Sequence, residues 1–533
     1  MTKILMIQPK SHDTFWQMSA MKPLTKKKAI HAPLGLVTLA ALTPPQYEVE
    51  LLDEYVEELK LDTSIDLVAI TGFTMHLPRI REIVSQCKEM GIMTVGGGPF
   101  VSGHIEEARE LFDVVVVGEA EKVWPVFLEE WSRNSYKKFY EGGQITDLSI
   151  SPVPRWGAIK NLDDYSSAPI QTSRGCPYDC EFCDVVSLFG RKPRFKPVEN
   201  VIAELKDLIS RGKAEIFFAD DNFIGNRVYA KSLLKEIIKF NRSIKKPIRF
   251  FTQLTLNVVK DPELIDLFVD ANFYGFFIGV ETPSKESLLS TNKSHNADLD
   301  LVQAIRTIQS RGIFLSLGMI VGFDADSSDI FDLQYDFLTQ AGVAIPLISM
   351  LTAMRGTKLW DRLEAEGRLL ADLESGDTNL EANFIPKLMT KEALQSGYAA
   401  LYRRLYEPEN FYIRFAALID QVDLKSIHKY SYLKNAMDPR HFRIYFLGAM
   451  YRTVKFYIFN SDKNMRRLFW KCLRKAIKKD ILLFPWVIEI LMYFMTEADF
   501  IHKHFVIPGH NTFEKLQKTV VKTSLSHVRQ DLN

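Results

Sequence analysis

The sequence predicts an α/β protein in three parts: a doubly wound parallel sheet of the Rossmann type, a partial (β/α)6 barrel and a mostly helical C-terminal region. Short apolar segments of strand length alternate with helical segments from residue 1 to about 140, and the alternation returns from about 169 to 360. From about 371 onwards, helical periodicity dominates. We therefore expect domains at 1–140 and 168–370, a polar linker at 141–167 and a helical extension at 371–533.

The first alternating region predicts a parallel sheet covered by helices. The predicted strands span 3–8, 49–53, 66–71, 93–95 and 114–117, and the predicted helices span 34–42, 78–90 and 123–131. Such sheets bind ligands at the carboxyl ends of their strands. Residues that directly follow these strands are therefore the first place to look for a ligand site.

Four short segments of this region are candidate ligand contacts. Glycine allows a backbone to approach a ligand closely, although a glycine run also suits a tight turn. The segments are Pro33, Leu34 and Gly35; Gly72, Phe73 and Thr74; Gly97, Gly98 and Pro99; and Gly118 with Glu119. His76 follows the second segment, and we expect a surface side chain there.

The second alternating region predicts six strands, and a helix follows each of the first five. The strands span 170–172, 216–219, 248–252, 274–280, 314–321 and 347–351, and the helices 198–209, 229–240, 262–269, 301–308 and 330–338. Active sites of such barrels lie at the carboxyl ends of the strands. The candidates there are Asp220, Asp221, Gln253, Glu281 and Gly322. Asn222 fits an N-cap of the next helix.

Three cysteines, Cys176, Cys180 and Cys183, lie within eight residues after the first barrel strand. Iron–sulfur cubanes are usually bound by four thiolates, so three would leave one iron open for chemistry. A structural zinc site would need a fourth ligand, and no other cysteine or histidine is near in sequence. Five cysteines in 533 residues do not suggest a disulfide framework. Of the remaining two, we expect Cys87 to be a small buried side chain and assign Cys472 no role.

The cysteines lie within Ser173-Arg-Gly-Cys-Pro-Tyr-Asp-Cys-Glu-Phe-Cys-Asp184, followed by Leu188-Phe-Gly-Arg-Lys-Pro-Arg-Phe-Lys196. This stretch resembles the cobalamin-binding radical SAM family, in particular the branch that includes hopanoid methylases. The resemblance extends over nearly the whole chain. It implies that the three cysteines bind a [4Fe-4S] cluster whose open iron chelates S-adenosylmethionine. In that family the reduced cluster cleaves the sulfonium to a 5′-deoxyadenosyl radical.

The resemblance also implies which residues contact each cofactor. The five barrel candidates would contact S-adenosylmethionine, and the four N-terminal segments would contact cobalamin. Many cobalamin domains carry Asp-x-His-x-x-Gly, whose histidine ligates cobalt from below. Here Asp53 is followed by Glu54 and Tyr55. We therefore expect cobalamin to bind without a histidine from that motif.

The function implied is a cobalamin-dependent methyltransferase that acts on an unactivated carbon of a hydrophobic substrate, such as a lipid or a tetrapyrrole. An electron donor such as flavodoxin or ferredoxin would reduce the cluster. Two alternatives stay open: radical chemistry without methyl transfer (ring closure, oxidation or carbon–carbon coupling), and a cobalamin-binding sensor or carrier with a structural cluster. Too few cysteines remain for the additional clusters of methylthiotransferases.

Composition favours a cytoplasmic enzyme without nucleic acid as a partner. The formal net charge is +1, and no binding motif for nucleic acid is present. The N-terminus lacks the long apolar segment of a secretion signal. In the C-terminal region, 466–479 is basic with interleaved aromatics, and the apolar run 481–495 is shorter than the roughly 20 residues of a spanning helix. This region is either a helical cap on the barrel or a peripheral membrane contact.

Overall fold

The computed structural model describes residues 1–370, 381–425, 444–460 and 462–505, and it has the predicted α/β class. The strands are β1 Lys3–Gln8, β2 Ala29–His31, β3 Glu48–Asp53, β4 Leu67–Thr71, β5 Met93–Gly97, β6 Val114–Gly118, β7 Phe139–Gly143, β8 Tyr165–Ile170, β9 Ser173–Arg174, β10 Arg194–Phe195, β11 Glu215–Phe218, β12 Arg249–Gln253, β13 Phe273–Glu281, β14 Phe314–Val321 and β15 Ile345–Met350. They form two large parallel sheets and one short antiparallel hairpin.

Helices cover both sheets. They are α1 Lys22–Thr25, α2 Leu34–Leu42, α3 Leu77–Glu89, α4 Pro99–Gly103, α5 Ile105–Leu111, α6 Val123–Ser132, α7 Val185–Phe189, α8 Val198–Ser210, α9 Arg227–Ser243, α10 Pro262–Asp270, α11 Lys285–Ser290, α12 Ser294–Ala297, α13 Leu301–Ser310, α14 Ile330–Ala341, α15 Lys358–Ala365, α16 Lys391–Tyr406, α17 Pro408–Gln421, α18 Ile444–Ile458, α19 Lys463–Lys479 and α20 Phe484–His504. The helices predicted in the two alternating regions begin and end within a few residues of these bounds.

The N-terminal sheet has six parallel strands in the order β3-β1-β4-β5-β6-β7. Its central strands are runs of valine, isoleucine and leucine that are buried on both faces, which is typical of a parallel sheet between two helical layers. Because all neighbours are parallel, the ends of β4, β5 and β6 lie side by side on one edge. The four predicted candidate segments include all three of these ends.

The barrel sheet has seven strands in the order β15-β14-β13-β12-β11-β8-β2, all paired in parallel. Five of these lie within two residues of the predicted strands, whereas β8 overlaps the predicted first strand, 170–172, only at Ile170. The seventh, β2, comes from the N-terminal region and pairs with β8. The Pro33 segment, which follows β2, is therefore placed at the junction of the two sheets.

The chain is divided differently from the predicted domain bounds. Strand β7 continues the N-terminal sheet to Gly143, past the bound expected at 140, and β8 begins at Tyr165 rather than after a linker ending at 167. β2 was missed because a three-residue strand carries little periodicity and pairs with a strand more than 130 residues away.

The C-terminal helices pack against the barrel. Arg414 of α17 is fully buried and donates to the carbonyl oxygens of Val343 at 2.8 Å and Leu405 at 2.6 Å. Glu489 of α20 accepts a hydrogen bond from Arg249 at 3.0 Å. Since Arg249 begins β12, α20 closes the barrel at the amino ends of its strands. The opposite, carboxyl end is left for a site.

One helix within the described ranges is long and apolar enough to cross a membrane. It spans Ile481–His504 and contains an 18-residue window with a mean hydropathy of 1.6, so the expectation that this segment falls short of a spanning length is corrected. However, 78% of its apolar window is buried inside the protein. This burial is what a core helix of a globular protein requires, and it agrees with the position of α20 under the barrel.

Candidate functional site

The three predicted cysteines lie on one loop between β9 and α7. The loop turns at Gly175, where φ is 93° and a Cβ would lie 2.8 Å from the carbonyl oxygen of Gly190. Only glycine fits such a turn without strain. The turn brings Cys176, Cys180 and Cys183 over the carboxyl end of the barrel sheet.

All three thiols are free and half-buried. Among the described residues, no three histidine, cysteine or acidic side chains converge to hold a single metal ion. A cubane binds its thiolates at separate irons, so they do not have to converge on one point. The donor set therefore fits a three-thiolate cluster with one open iron.

Burial raises the pKa of Cys176, Cys180 and Cys183, which opposes the thiolate form that binds iron. The ammonium group of Lys293 acts in the opposite direction on all three thiols. Lys293 was not among the predicted site residues, because a lysine in a polar stretch between two helices carries no sequence signal of its own.

The two predicted aspartates after β11 do different work. Asp220 is buried, and its carboxylate accepts hydrogen bonds from the backbone N–H groups of Thr172 at 2.6 Å and Ser173 at 2.9 Å. It therefore fixes the start of the cysteine loop. Asp221 accepts from the N–H of Gly175 at 2.7 Å, and burial raises its pKa to about 7. Only Asp221 directly adjoins the cysteine turn.

Asn222 is a residue that sequence reasoning assigned elsewhere. The N-cap of α9 is Asn226, not Asn222, and Asn222 is 2% exposed. Its side chain lies within hydrogen-bonding reach of the Cys176 thiol, while its Oδ1 atom has no hydrogen-bond partner among the described residues. A buried acceptor without a donor is costly. Asn222 therefore lies beside the Cys176 thiol rather than at the start of α9.

The other predicted barrel residues lie on the same edge. Glu281 ends β13 with a φ of 71°, where the pairing register with β14 shifts, and its buried carboxylate pairs with Lys293. Gln253 ends β12 and is half-buried. Gly322 follows β14, but its N–H already donates to Asp326 at 2.9 Å. The carboxyl edge thus brings together the residues predicted for S-adenosylmethionine.

The predicted N-terminal segments also converge. Gly98 has a φ of 87°, and a Cβ there would lie 2.2 Å from Oγ1 of Thr71. The carbonyl oxygen of Gly72 accepts from the N–H of Phe100 at 2.9 Å, so the loops after β4 and β5 are in contact. Phe73 is 56% exposed at this edge, and a Cβ on Gly35 would meet no atom within 4 Å. An open, glycine-lined edge with an exposed aromatic side chain fits a large planar ligand.

Glu119, predicted to contact cobalamin, belongs to a buried ion-pair network instead of an open surface. It pairs with Arg174 at 2.9 Å and Arg194 at 2.6 Å, and its Oε2 also accepts from the N–H of Ile145. Arg174 pairs in addition with Glu121 at 2.6 Å. This network joins the end of β6 to the residue that precedes the cysteine turn.

His76 is buried, so the expected surface side chain is wrong. Its Nδ1 accepts from the N–H of Phe73 at 3.0 Å, and its Nε2 lies 3.2 Å from the hydroxyl of Tyr55. Burial lowers its pKa to about 4. The imidazole is therefore neutral and is engaged within the N-terminal sheet.

A cavity of about 620 Å³ lies between the N-terminal region and the barrel. One side is formed by Gly103, Gly118 and neighbouring residues, and the other by Ser187 and Leu188 of α7, directly after the cysteine loop. Ligand sites commonly have volumes of roughly 300–1,000 Å³. Gly118 thus borders this space on one side, and the helix that directly follows the cysteine loop borders it on the other.

Aromatic side chains line the inner face of the barrel. Phe217, Phe251 and Phe277 lie on neighbouring strands, and the rings of Phe217 and Phe251 are 6.0 Å apart. The segment that leads into the barrel adds Trp16, 5.4 Å from Phe277, and His31, 4.8 Å from Phe217. Burial lowers the pKa of His31 to about 4, so its ring adds aromatic surface without a charge. The ion pair of Arg249 and Glu215 lies on the same face, two residues earlier on β12 and β11.

Three family matches cover most of the chain. Residues 24–128 match the B12 binding domain, and residues 170–333 match the radical SAM superfamily. Residues 357–504 match a domain of unknown function, DUF4070. The first two matches coincide with the N-terminal sheet and with the barrel that carries the cysteine loop.

Similar proteins and structures agree with these matches. The chain is 33% identical to an uncharacterized methyltransferase of Synechocystis sp. over 77% of each chain. It is 29% identical to the hopanoid C-2 methylase of Rhodopseudomonas palustris, over 93% of this chain and 94% of that one. Its fold resembles that of the cobalamin-dependent S-adenosylmethionine radical enzyme OxsB, with a TM-score of 0.60 and 16% identity, over 98% of this chain and 83% of that one.

Proposed function

Because the chain belongs to the cobalamin-binding radical SAM family, we propose that it transfers a methyl group to an unactivated carbon of a hydrophobic small molecule. Its cofactors are a [4Fe-4S] cluster, S-adenosylmethionine and cobalamin. The cavity between Gly118 and the helix that follows the cysteine loop is the observation that carries the proposal. Methyl transfer through cobalamin needs both cofactors within reach of one substrate, and this cavity borders the end of β6 and α7, next to both predicted sites.

When bound, the cluster and S-adenosylmethionine supply a hydrogen-abstracting radical, and cobalamin supplies the methyl group. The chain's own residues bind and orient them. Cys176, Cys180 and Cys183 hold the cluster, and the acceptor oxygens of Asp221 and Asn222 receive an amino group beside it. We assign Asn222 to this role in place of Asp220, whose carboxylate is occupied by backbone donors.

The segments after β4 and β5, with Gly118 and the Pro33 segment, would approach cobalamin through their glycine backbone. Glu119 supports this edge through Arg174 and Arg194 rather than by direct contact. We expect cobalamin to bind without a protein histidine as a ligand, because His76 is held by Phe73 and Tyr55.

The aromatic inner face of the barrel favours a hydrophobic substrate with rings. Aromatic side chains contribute large apolar contact areas and exclude water from a radical reaction. The relatives support the same class, since they include the hopanoid C-2 methylase and the bacteriochlorophyllide d C-12(1)-methyltransferase of Chlorobaculum tepidum. A flavodoxin or ferredoxin in the cytoplasm would supply the electron that reduces the cluster.

Labelled S-adenosylmethionine tests the proposal. The anaerobically reconstituted protein is given S-adenosylmethionine with a trideuterated methyl group and an extract of lipids or tetrapyrroles. We expect a product that carries the deuterated methyl group on a carbon, together with release of 5′-deoxyadenosine. 5′-Deoxyadenosine without transferred label would favour ring closure, oxidation or coupling instead. Without any 5′-deoxyadenosine, a sensor or carrier with a structural cluster would be the better assignment.

A contact with anionic membrane completes the proposal for a lipid substrate. One face of α19 exposes four basic side chains and two large apolar ones: Lys463, Arg467, Trp470, Arg474, Ile477 and Lys478. Of the other basic residues in this segment, Lys471 pairs with Glu409 and Lys475 with Asp420, while Arg466 and Lys479 donate to backbone carbonyls. The helix is thus a cap through one face, and its other face is available to lipid.

Liposome sedimentation tests this contact. Each basic residue near an anionic surface contributes about 1 kcal/mol, so we expect salt-sensitive binding that is lost when Lys463, Arg467, Arg474 and Lys478 are changed to glutamine. A control with Lys471 and Lys475 changed to glutamine removes two charges that already have partners, and it should bind nearly as well as the native chain. Equal binding of both variants, or no binding of the native protein at low salt, would contradict the contact.

A further inference from the structure

A polar segment, 291–296, wraps around the outside of the cysteine loop. The carbonyl oxygen of Thr291 accepts from the N–H of Glu181 at 3.0 Å. The ring of His295 stacks on Tyr178 with centroids 3.7 Å apart and an interplanar angle of 20°. Both partners lie between the cysteines, so the segment holds the loop at two points.

Between these two points, Lys293 reaches towards the cysteines. Its side chain is 6% exposed, and its Nζ lies 5.8 Å above the ring of Phe182, the residue before Cys183. The ammonium group forms an ion pair with the buried carboxylate of Glu281. Negative charge on Cys180 and Cys183 would raise the pKa of Lys293, as the carboxylate of Glu281 does.

The backbone around this ion pair is strained. Glu281 has a φ of 71° and Asn292 a φ of 60°, although neither is glycine. A Cβ on Gly279 would lie 2.3 Å from Oε1 of Glu281 and 3.1 Å from Nζ of Lys293, so only glycine leaves room for the pair. Such left-handed residues persist where surrounding structure fixes them, often at functional sites.

Stability gives little reason to keep this pair. Two charges moved into the interior lose hydration, and a buried ion pair is often no more stable than apolar side chains of the same size. A fixed positive charge beside a redox centre has another effect. In a low-dielectric interior it stabilises whichever state of its neighbour carries more negative charge.

Building on the proposed function, we propose that Lys293 is a positioning residue that holds Glu281 at the ligand edge and sets the reduction potential of the cluster. A cubane with three thiolates gains one negative charge when one electron enters it. The ammonium group of Lys293 favours that reduced state, and Glu281 limits the effect. Removing the charge of Lys293 should therefore lower the reduction potential of the cluster, and removing the charge of Glu281 should raise it.

Potentiometric titration of the cluster, followed by electron paramagnetic resonance, tests this without substrate or cobalamin. We expect Lys293→Met to lower the equilibrium constant for reduction about tenfold, equal to about 59 mV for a one-electron couple. Glu281→Gln should raise it, and Lys293→Arg should stay near the native value. The control Lys213→Met removes another buried lysine, which donates to the carbonyl of Tyr165 at the amino end of the sheet, and should leave the potential unchanged.

A merely structural role would lower iron content without opposite shifts in potential. Should Lys293→Met bind too little iron to titrate, Glu281→Gln decides: an upward shift supports the proposal and an unchanged potential overturns it. Equal potentials for the native chain, Lys293→Met and Glu281→Gln would also overturn it. Failure of the proposed function is distinguishable, since it would appear as a native protein that makes no methylated product while these potentials still shift.

Discussion

Arg174 follows the first barrel strand and pairs with two glutamates that follow β6 of the N-terminal sheet. Its removal should therefore lower the free energy of unfolding of the contact between the two sheets. Its guanidinium group lies 2.9 Å from Glu119 and 2.6 Å from Glu121, and the side chains of all three are at most 11% exposed. In Arg174→Met, Glu119 keeps Arg194, whereas Glu121 loses its cationic partner. Removing one partner of a buried pair costs about 3–5 kcal/mol, because the other charge stays buried without compensation.

Urea unfolding of the apoprotein measures this cost. The chain has several domains, so we assign the loss to the first transition and do not treat unfolding as two-state. Adding Glu121→Gln to Arg174→Met removes the stranded charge and should recover part of the loss. The exposed pair Arg133–Glu129 is the control, since such pairs contribute roughly 0.3–0.5 kcal/mol. A loss below about 1 kcal/mol in Arg174→Met, or strict additivity in the double variant, would refute the reasoning.

The stability that the Arg174–Glu121 pair contributes should decrease as the pH falls. Burial raises the pKa of Glu121, but the attraction of Arg174 outweighs it, so the folded-state pKa is lower than usual. The contribution of the pair is therefore present above the unfolded pKa and is lost as pH falls through the folded pKa. Arg174→Met should remove this part of the acid sensitivity.

Three further expectations concern separate parts of the chain. Cys180→Ala should leave a folded protein with little cubane absorbance, while Cys87→Ala, which alters a buried thiol outside the loop, should keep the cluster and S-adenosylmethionine cleavage; normal cleavage by Cys180→Ala would exclude the ligand assignment. Burial raises the pKa of Glu497 to about 8 from 4.5, so between these pH values the folded state holds a proton that the unfolded state releases. The free energy of unfolding should therefore fall by up to about 1.4 kcal/mol per pH unit as pH rises through this range. Glu497→Gln should remove this slope, and an unchanged slope would contradict the expectation. The cob(II)alamin form should lack superhyperfine splitting from a protein nitrogen, and its presence would return His76 to consideration.

Sequence reasoning succeeded where residues carry periodic or local signals. Alternating apolar segments predicted both sheets, and the spacing of Cys176, Cys180 and Cys183 predicted one loop. It failed where the decisive fact is a contact between distant residues. Asp220 and Asn222 are neighbours in sequence, yet one is saturated by backbone donors and the other has an unpartnered oxygen. Only the packing of β11 against the cysteine loop separates these two roles.

Long-range contacts also determine the surroundings of Glu119, His76 and Lys293. Glu119 looked like a strand-end ligand contact, but Arg174 and Arg194, more than 50 residues later, neutralise it. His76 looked exposed because it follows a loop, but the side chain folds back onto Tyr55. Lys293 had no signal at all, since its importance comes from Glu281 and from a loop more than 100 residues before it.

We propose that the cluster and cobalamin lie close together in this chain, on either side of the cavity between β6 and α7. The most direct measurement is the electron paramagnetic resonance relaxation of cob(II)alamin in the protein loaded with both cofactors, before and after the cluster is reduced. We expect the cob(II)alamin signal to relax faster once the cluster becomes paramagnetic, and we expect no such change in Cys180→Ala. If the relaxation of cob(II)alamin stays the same upon full reduction of the cluster, the two cofactors lie in separate sites, which would contradict their proposed proximity.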